Sequence, residues 1–127
     1  MSLSYHQRNA VIRNLFEMAW RDGVVTEPER AVLQRLLVTL GVPAERAQGM
    51  LEQRGQRPPP EAFLGPIEEL AREVPSHEDR LAAVRMLVEL CLSDGAVFAE
   101  LEYLFQLAMR IQLGAGELEE LFRTCGG

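Results

Sequence analysis

The strongest constraint on this chain is that it repeats itself. Shifted by 72 positions, the stretch that begins at Arg8 lands on the stretch that begins at Arg80. Ala10 then matches Ala82, Arg13 matches Arg85, Glu17 matches Glu89, and Asp22-Gly23-x-Val25 matches Asp94-Gly95-x-Val97. Apolar positions correspond too: Ile12 with Val84, Leu15 with Leu87, Phe16 with Val88, Ala19 with Cys91. After the glycine the second copy is one residue shorter. Glu29 therefore aligns with Glu100, Leu33 with Leu104, Leu36 with Leu107, Leu40 with Ile111 and Val42 with Leu113. Each copy reads as a helix, an Asp-Gly turn and a second helix. Such a hairpin cannot bury its apolar faces alone, so the two copies are expected to pack on each other about a pseudo-twofold axis.

The periodicity is helical throughout. Apolar residues at 11, 12, 15, 16, 19 and 20, and at 33, 36, 37 and 40, recur every three or four positions. Those at 81, 84, 87, 88 and 91, and at 101, 104, 105, 108 and 111, do the same, and no segment reads as a strand. Thr26-x-x-Glu29 is a capping box, Pro43 suits a first helical turn, and Ser76 with acids after it is an N-cap. Gly23, Gly41, Gly95 and Gly114 fall where helices should stop. The pattern predicts an all-α chain with about seven helices, near 4–22, 27–40, 44–53, 61–73, 77–94, 99–112 and 116–124. Repeat one spans about 4–42 and repeat two about 77–113, with "RGQRPPPE" (54–61) as the linker in a single domain, 1–127. A triple proline also suits an SH3 or WW groove, but between two short helices it reads as a connection.

A length of 127 residues is enough for one domain with a genuine core. The net charge of −6 would repel phosphates, so nucleic acid is not an expected partner; all thirteen basic residues are arginine. No apolar run can span a bilayer and no signal peptide opens the chain, so a cytoplasmic address is the default. Cys91 sits in an apolar periodic segment and Cys125 among the last residues, which does not make a disulfide framework. No catalytic set stands out. His6 and His77 precede or open helices, Asp79 reads as a first-turn acid, and Cys91 as a small core residue. No Gly-rich phosphate loop occurs, so the chain is not expected to be an enzyme. Trp20 and Phe105 are expected in the core.

The turn "RDGVVTEPER" (21–30) resembles the last two thirds of an EF-hand loop. With Gly23 at the sharp turn, however, the first and third ligand positions become Met18 and Trp20, which offer no hard oxygen. A self-contained EF-hand is ruled out. A shared site is a different matter. On a helical wheel Asp22 and Asp94 fall within the apolar arc at the helix ends. Glu17 and Glu89 fall outside it, each four residues after an arginine, Arg13 and Arg85. Two readings of the inward acids stand. In one, Asp22 and Glu29 only cap the turn and the next helix. In the other, Asp22, Glu29, Asp94 and Glu100 converge, a set without histidine or thiolate that suits Ca²⁺ or Mg²⁺ rather than zinc. The second turn, "DGAVFAELE", has Phe98 in place of Thr26 and moves its glutamates to 100 and 102.

Two hairpins built on A-x-x-D-G-x-V-[ST]-x-x-E resemble the TerB-like domains, named for a tellurite-resistance protein and found also in some membrane-anchored J-domain co-chaperones. "MAWRDGVVTEPERAVLQRLLVTLGV" (18–42) carries most of the resemblance and "LCLSDGAVFAELEYLFQLAMRIQL" (90–113) the rest. It implies a seven-helix, pseudo-symmetric bundle with an acidic patch at the Asp-Gly turns that binds divalent metal. It implies a sensing or scaffolding role in stress responses, with a protein partner and peripheral association at the inner face of the membrane. Carried over, the patch is Asp22, Glu29, Asp94 and Glu100, with Glu27 and Glu102 beside it. The alternative is a metal-independent interaction scaffold with an apolar or arginine-lined groove near Phe63 and Phe122.

Overall fold

Ser4 starts the first helix. Its hydroxyl accepts from the Gln7 N–H at 3.2 Å, and the Gln7 side chain accepts from the Ser4 N–H at 2.9 Å. This reciprocal cap satisfies donors that a helix start leaves open. The computed structural model describes residues 3–20, 25–53, 64–93, 95 and 98–126. It contains α1 (Tyr5–Ala19), α2 (Glu27–Thr39), α3 (Ala44–Gln53), α4 (Leu64–Glu73), α5 (His77–Ser93), α6 (Phe98–Arg110) and α7 (Ala115–Gly126). No strand occurs among the described residues, so the chain is all-α as its periodicity predicts. The linker expected at 54–61 lies outside the described residues, as does Phe63.

α5 is the hub, packing against α1, α2, α6 and α7, while α1 also lies along α4 and α2 along α3. Its sequence explains this. Ala83, Val84, Met86, Leu87, Val88, Leu90 and Cys91 are all buried, so the helix is apolar around most of its circumference and needs neighbours on several sides. Leu15, Leu33, Leu37, Leu70, Leu104 and Leu107 close in from the other helices and are fully buried. Each such leucine contributes about 1.5–3 kcal/mol of burial.

Local bonds move several helix ends away from the positions that periodicity alone suggests. α1 stops at Ala19, not near residue 22, because the Trp20 N–H is shared between the Phe16 and Glu17 carbonyls at 3.1 and 3.3 Å. That sharing tightens the last turn and ends the ladder. The wheel position inferred for Asp22 therefore rests on a helix that finishes three residues earlier. α2 and α6 end in the same way as each other. Gly41 has φ 93° and Gln112, its counterpart, φ 64°. The Val42 N–H reaches the Leu37 carbonyl at 3.0 Å, and the Leu113 N–H reaches that of Ala108 at 2.9 Å. This is a Schellman closure in each copy, carried by glycine in one and by glutamine in the other. Gly114, expected as a stop, instead opens α7: its carbonyl accepts from the Leu118 N–H at 3.1 Å.

Two matched arginines hold these ends down. Arg8 Nη1 donates to the Leu40 carbonyl at 3.5 Å, at the end of α2. Arg80 does the corresponding work on Ile111, at 3.1 Å, and also donates to Ala71 at 2.8 Å and Val74 at 2.6 Å. One guanidinium thus satisfies the last carbonyls of both α4 and α6, where the helix dipoles favour a cation. At the start of α5, close to Arg80 in sequence, His77 Nε2 lies 2.6 Å from Glu117 Oε2. The Gly114 N–H, foremost, and His77 hold the Glu117 carboxyl below the usual range. Whatever this clasp adds to α7 docking is present above the ordinary carboxylate pKa and is lost as pH falls through the lower folded value.

The core carries one polar clasp. Asn14 is fully buried; its Nδ2 donates to the Ala10 carbonyl at 2.7 Å and to the Pro66 carbonyl at 2.8 Å. Its Oδ1 accepts from the Tyr103 hydroxyl at 2.6 Å. α1, α4 and α6 are thereby tied at one point, with the amide's acceptor and both its donors engaged. Surface pairs add less: Arg13 reaches Glu69 on α4 rather than Glu17, and Glu89 takes both Arg35 and Arg85.

Tyr103→Phe should cost about 1–3 kcal/mol in urea unfolding, because it strands the Asn14 oxygen away from water. A double-mutant cycle with Asn14→Ala should give a coupling of about 0.5–3 kcal/mol. Gly41→Ala should cost about 1–2 kcal/mol, since φ is positive and an added Cβ would stand 2.7 Å from Arg8 Nη1. Gln112→Gly, at the matching position, should be neutral or stabilise by up to about 1 kcal/mol.

Candidate functional site

The acids singled out by the repeat sit at the starts of the second helix in each hairpin. Glu29 is the third residue of α2 and Glu100 the third residue of α6, and both are wholly buried. At α2 the capping box forms as the sequence predicts. The Thr26 hydroxyl accepts from the Glu29 N–H at 3.3 Å, while Glu29 Oε1 accepts from the Thr26 N–H at 3.2 Å and from its hydroxyl at 3.3 Å. The positive end of the α2 dipole adds to the preference for a carboxylate there.

At α6 the register differs by one from the simple alignment. The helix opens at Phe98, which therefore stands where Glu27 stands in the first copy, and not where Thr26 does. Glu27 and Glu102 are exposed, so neither joins the buried pair. Asp22 and Asp94, the other two members of the expected set, lie outside the described residues. Among the described residues, no group of three or more His, Cys, Asp or Glu could hold a metal ion. What the bends offer is a pair of buried carboxylates at matching places, each seven residues after an Asp-Gly aspartate in the first copy and six in the second. Oxygen donors of this kind suit hard cations.

Other candidates resolve into structure. Cys91 is fully buried and Cys125 partly so, both as free thiols. Burial pushes the Cys125 thiol up, the opposite of what a reactive thiolate needs. His6 borders a polar hollow of about 400 Å³ with Arg13, Arg46, Glu69 and Glu73. Trp20 is buried as expected, but Phe105 is not: half of its surface is exposed, because it faces outward from α6. Phe122 is partly buried and lines an apolar groove between α6 and α7. The feature that sequence reasoning missed is the Asn14–Tyr103 clasp. A polar Asn among apolar residues at helical spacing is the signal that could have revealed the clasp. No helix among the described residues is long and apolar enough to cross a membrane.

Residues 1–51 match the family model described as Tellurite resistance protein TerB. No curated protein and no solved structure matches the chain. The match covers α1, α2 and most of α3, and so the first of the two hairpins resembles that family.

Proposed function

We propose that this chain is a non-enzymatic module of the tellurite-resistance type whose two Asp-Gly bends together bind one divalent cation and so recruit a protein partner. The donors are Asp22, Glu29, Asp94 and Glu100, with Glu27 and Glu102 outside the first set, and the cation is Ca²⁺ or Mg²⁺. The observation that carries this reading is the complete burial of Glu29 and Glu100 at the same position of two helices. A glutamate that only caps a helix has no need to leave water. Two carboxylates withdrawn from it at matching bends favour added positive charge, of which the helix N-termini supply part. A hard cation with oxygen ligands is one source of such charge. The module would act in a stress response in the cytoplasm, in peripheral contact with the membrane.

A second reading, a metal-independent scaffold with purely structural bends, draws on the Glu29–Thr26 box, which already engages one oxygen of Glu29. Thermal unfolding separates the two. Relative to chelator, an ion at a hundred times its Kd should add about 2.7 kcal/mol. For a chain of this size the midpoint should rise on the order of 10 °C. Asp22→Asn combined with Asp94→Asn should abolish the rise and leave the far-ultraviolet circular dichroism unchanged. No rise with either millimolar Ca²⁺ or Mg²⁺ would overturn the metal reading and leave the bends as caps.

A further inference from the structure

The internal repeat provides its own control for one surface. α2 and α6 are matched by the sequence repeat, yet one face of each differs in chemistry at three of four positions. Where α6 carries Phe98, Leu101, Phe105 and Met109, α2 carries Glu27, Arg30, Gln34 and Val38. The hairpin therefore folds with this face polar, and the apolar stripe on α6 is not a requirement of the fold. Nor is the stripe covered. Phe98 is 78% exposed, Phe105 50% and Met109 79%. The helices that follow also diverge: α3 lies along α2, whereas α7 turns to lie along α5. Between α6 and α7 this leaves a groove of about 670 Å³, with Leu101, Phe105 and Met109 on one wall and Ala115, Leu118 and Phe122 on the other.

We propose that this groove is a docking site for an amphipathic helix of a partner protein, with an apolar face flanked by lysine or arginine. The shape argues for a helix. The stripe from Phe98 to Met109 runs three turns, about 16 Å, and presents apolar side chains at the three- and four-residue spacing that anchors a partner helix. The charge argues for a basic flank. Glu102 on α6 is exposed, Glu119 on α7 lines the groove, and neither forms an ion pair with a described residue. The nearby arginines are already engaged, Arg110 by Glu68 on α4 and Arg123 by Glu120. The rim is thus acidic and unneutralised, on a chain whose net charge is already −6. Opposite charge on the incoming helix would speed encounter and fix its orientation, while apolar contacts hold it. The groove lies on the described residues of α6 and α7 and does its work with or without a cation at the bends.

The test uses the full chain and a labelled synthetic peptide of about 16 residues with leucines at helical spacing and lysines on both flanks. A second peptide carries glutamate in place of every lysine. Fluorescence anisotropy should show saturable binding of the basic peptide, weakened by salt, and about tenfold or more weaker binding of the acidic one. Phe105→Gln, which copies Gln34 of α2, combined with Met109→Gln, both at exposed positions, should weaken the basic peptide about tenfold or more with the unfolding midpoint unchanged. Glu102→Gln with Glu119→Gln should reduce both affinity and salt dependence. Equal binding of the two peptides, or of wild type and the Phe105/Met109 variant, would overturn the proposal. So would a dimer in light scattering that the same variant returns to monomer, since a second copy would then be the occupant. Binding to phosphatidylglycerol vesicles that the variant abolishes, without peptide binding, would assign the stripe to a membrane instead.

Discussion

Every helix that ends inside a bundle leaves backbone groups that must be hydrogen-bonded there, and the architecture of this chain is largely a set of answers to that demand. At the carboxyl ends of α2 and α6 the answer is a left-handed residue, a Schellman closure and an arginine from the preceding helix, Arg8 or Arg80. At their amino ends the third helical residue is a buried glutamate, Glu29 or Glu100. The two devices place opposite charges where the helix dipoles favour them: cations at the carbonyl ends and carboxylates at the N–H ends.

Where the two copies differ, the differences sort by what each part must do. Asn14 has Met86 as its counterpart, and only the asparagine has α4 and α6 to tie together through Pro66 and Tyr103. Gly41 has Gln112, which accepts some left-handed strain at an exposed turn. Glu27 and Gln34 have Phe98 and Phe105, a change that exposes apolar surface. The first of these differences serves packing, the second is tolerated, and the third has no folding role in the hairpin. Exposed apolar surface without a structural reason is what a binding face looks like.

Much of the fold was legible in the sequence because apolar spacing and caps act locally. The helical pattern, the Thr26–Glu29 box and the Ser76 start all come from residues within one or two turns of one another. The errors came from tertiary bonds and from turn geometry. Nothing local says that Trp20 shares its N–H and ends α1 before Asp22, or that Gln112 rather than Gly114 takes the left-handed turn. Phe105 fits the apolar period of α6 as well as a core residue would, and only the path of α7 along α5 leaves it outside. For the site, the repeat picked out Glu29 and Glu100 as a matched pair, and their burial is what the structure adds.

The central claim, that the two bends share a cation, can be read out from the protein's single tryptophan. Trp20 is buried two residues before Asp22, close enough to transfer excitation to Tb³⁺ standing in for Ca²⁺ at the first bend. Titrating Tb³⁺ while exciting the indole should give saturable sensitised emission that Ca²⁺ competes away. Asp94→Asn alone, a change in the other copy, should weaken that binding if the site is shared. Emission no greater than that of the free ion, or emission indifferent to Asp94→Asn and Asp22→Asn together, would contradict the account.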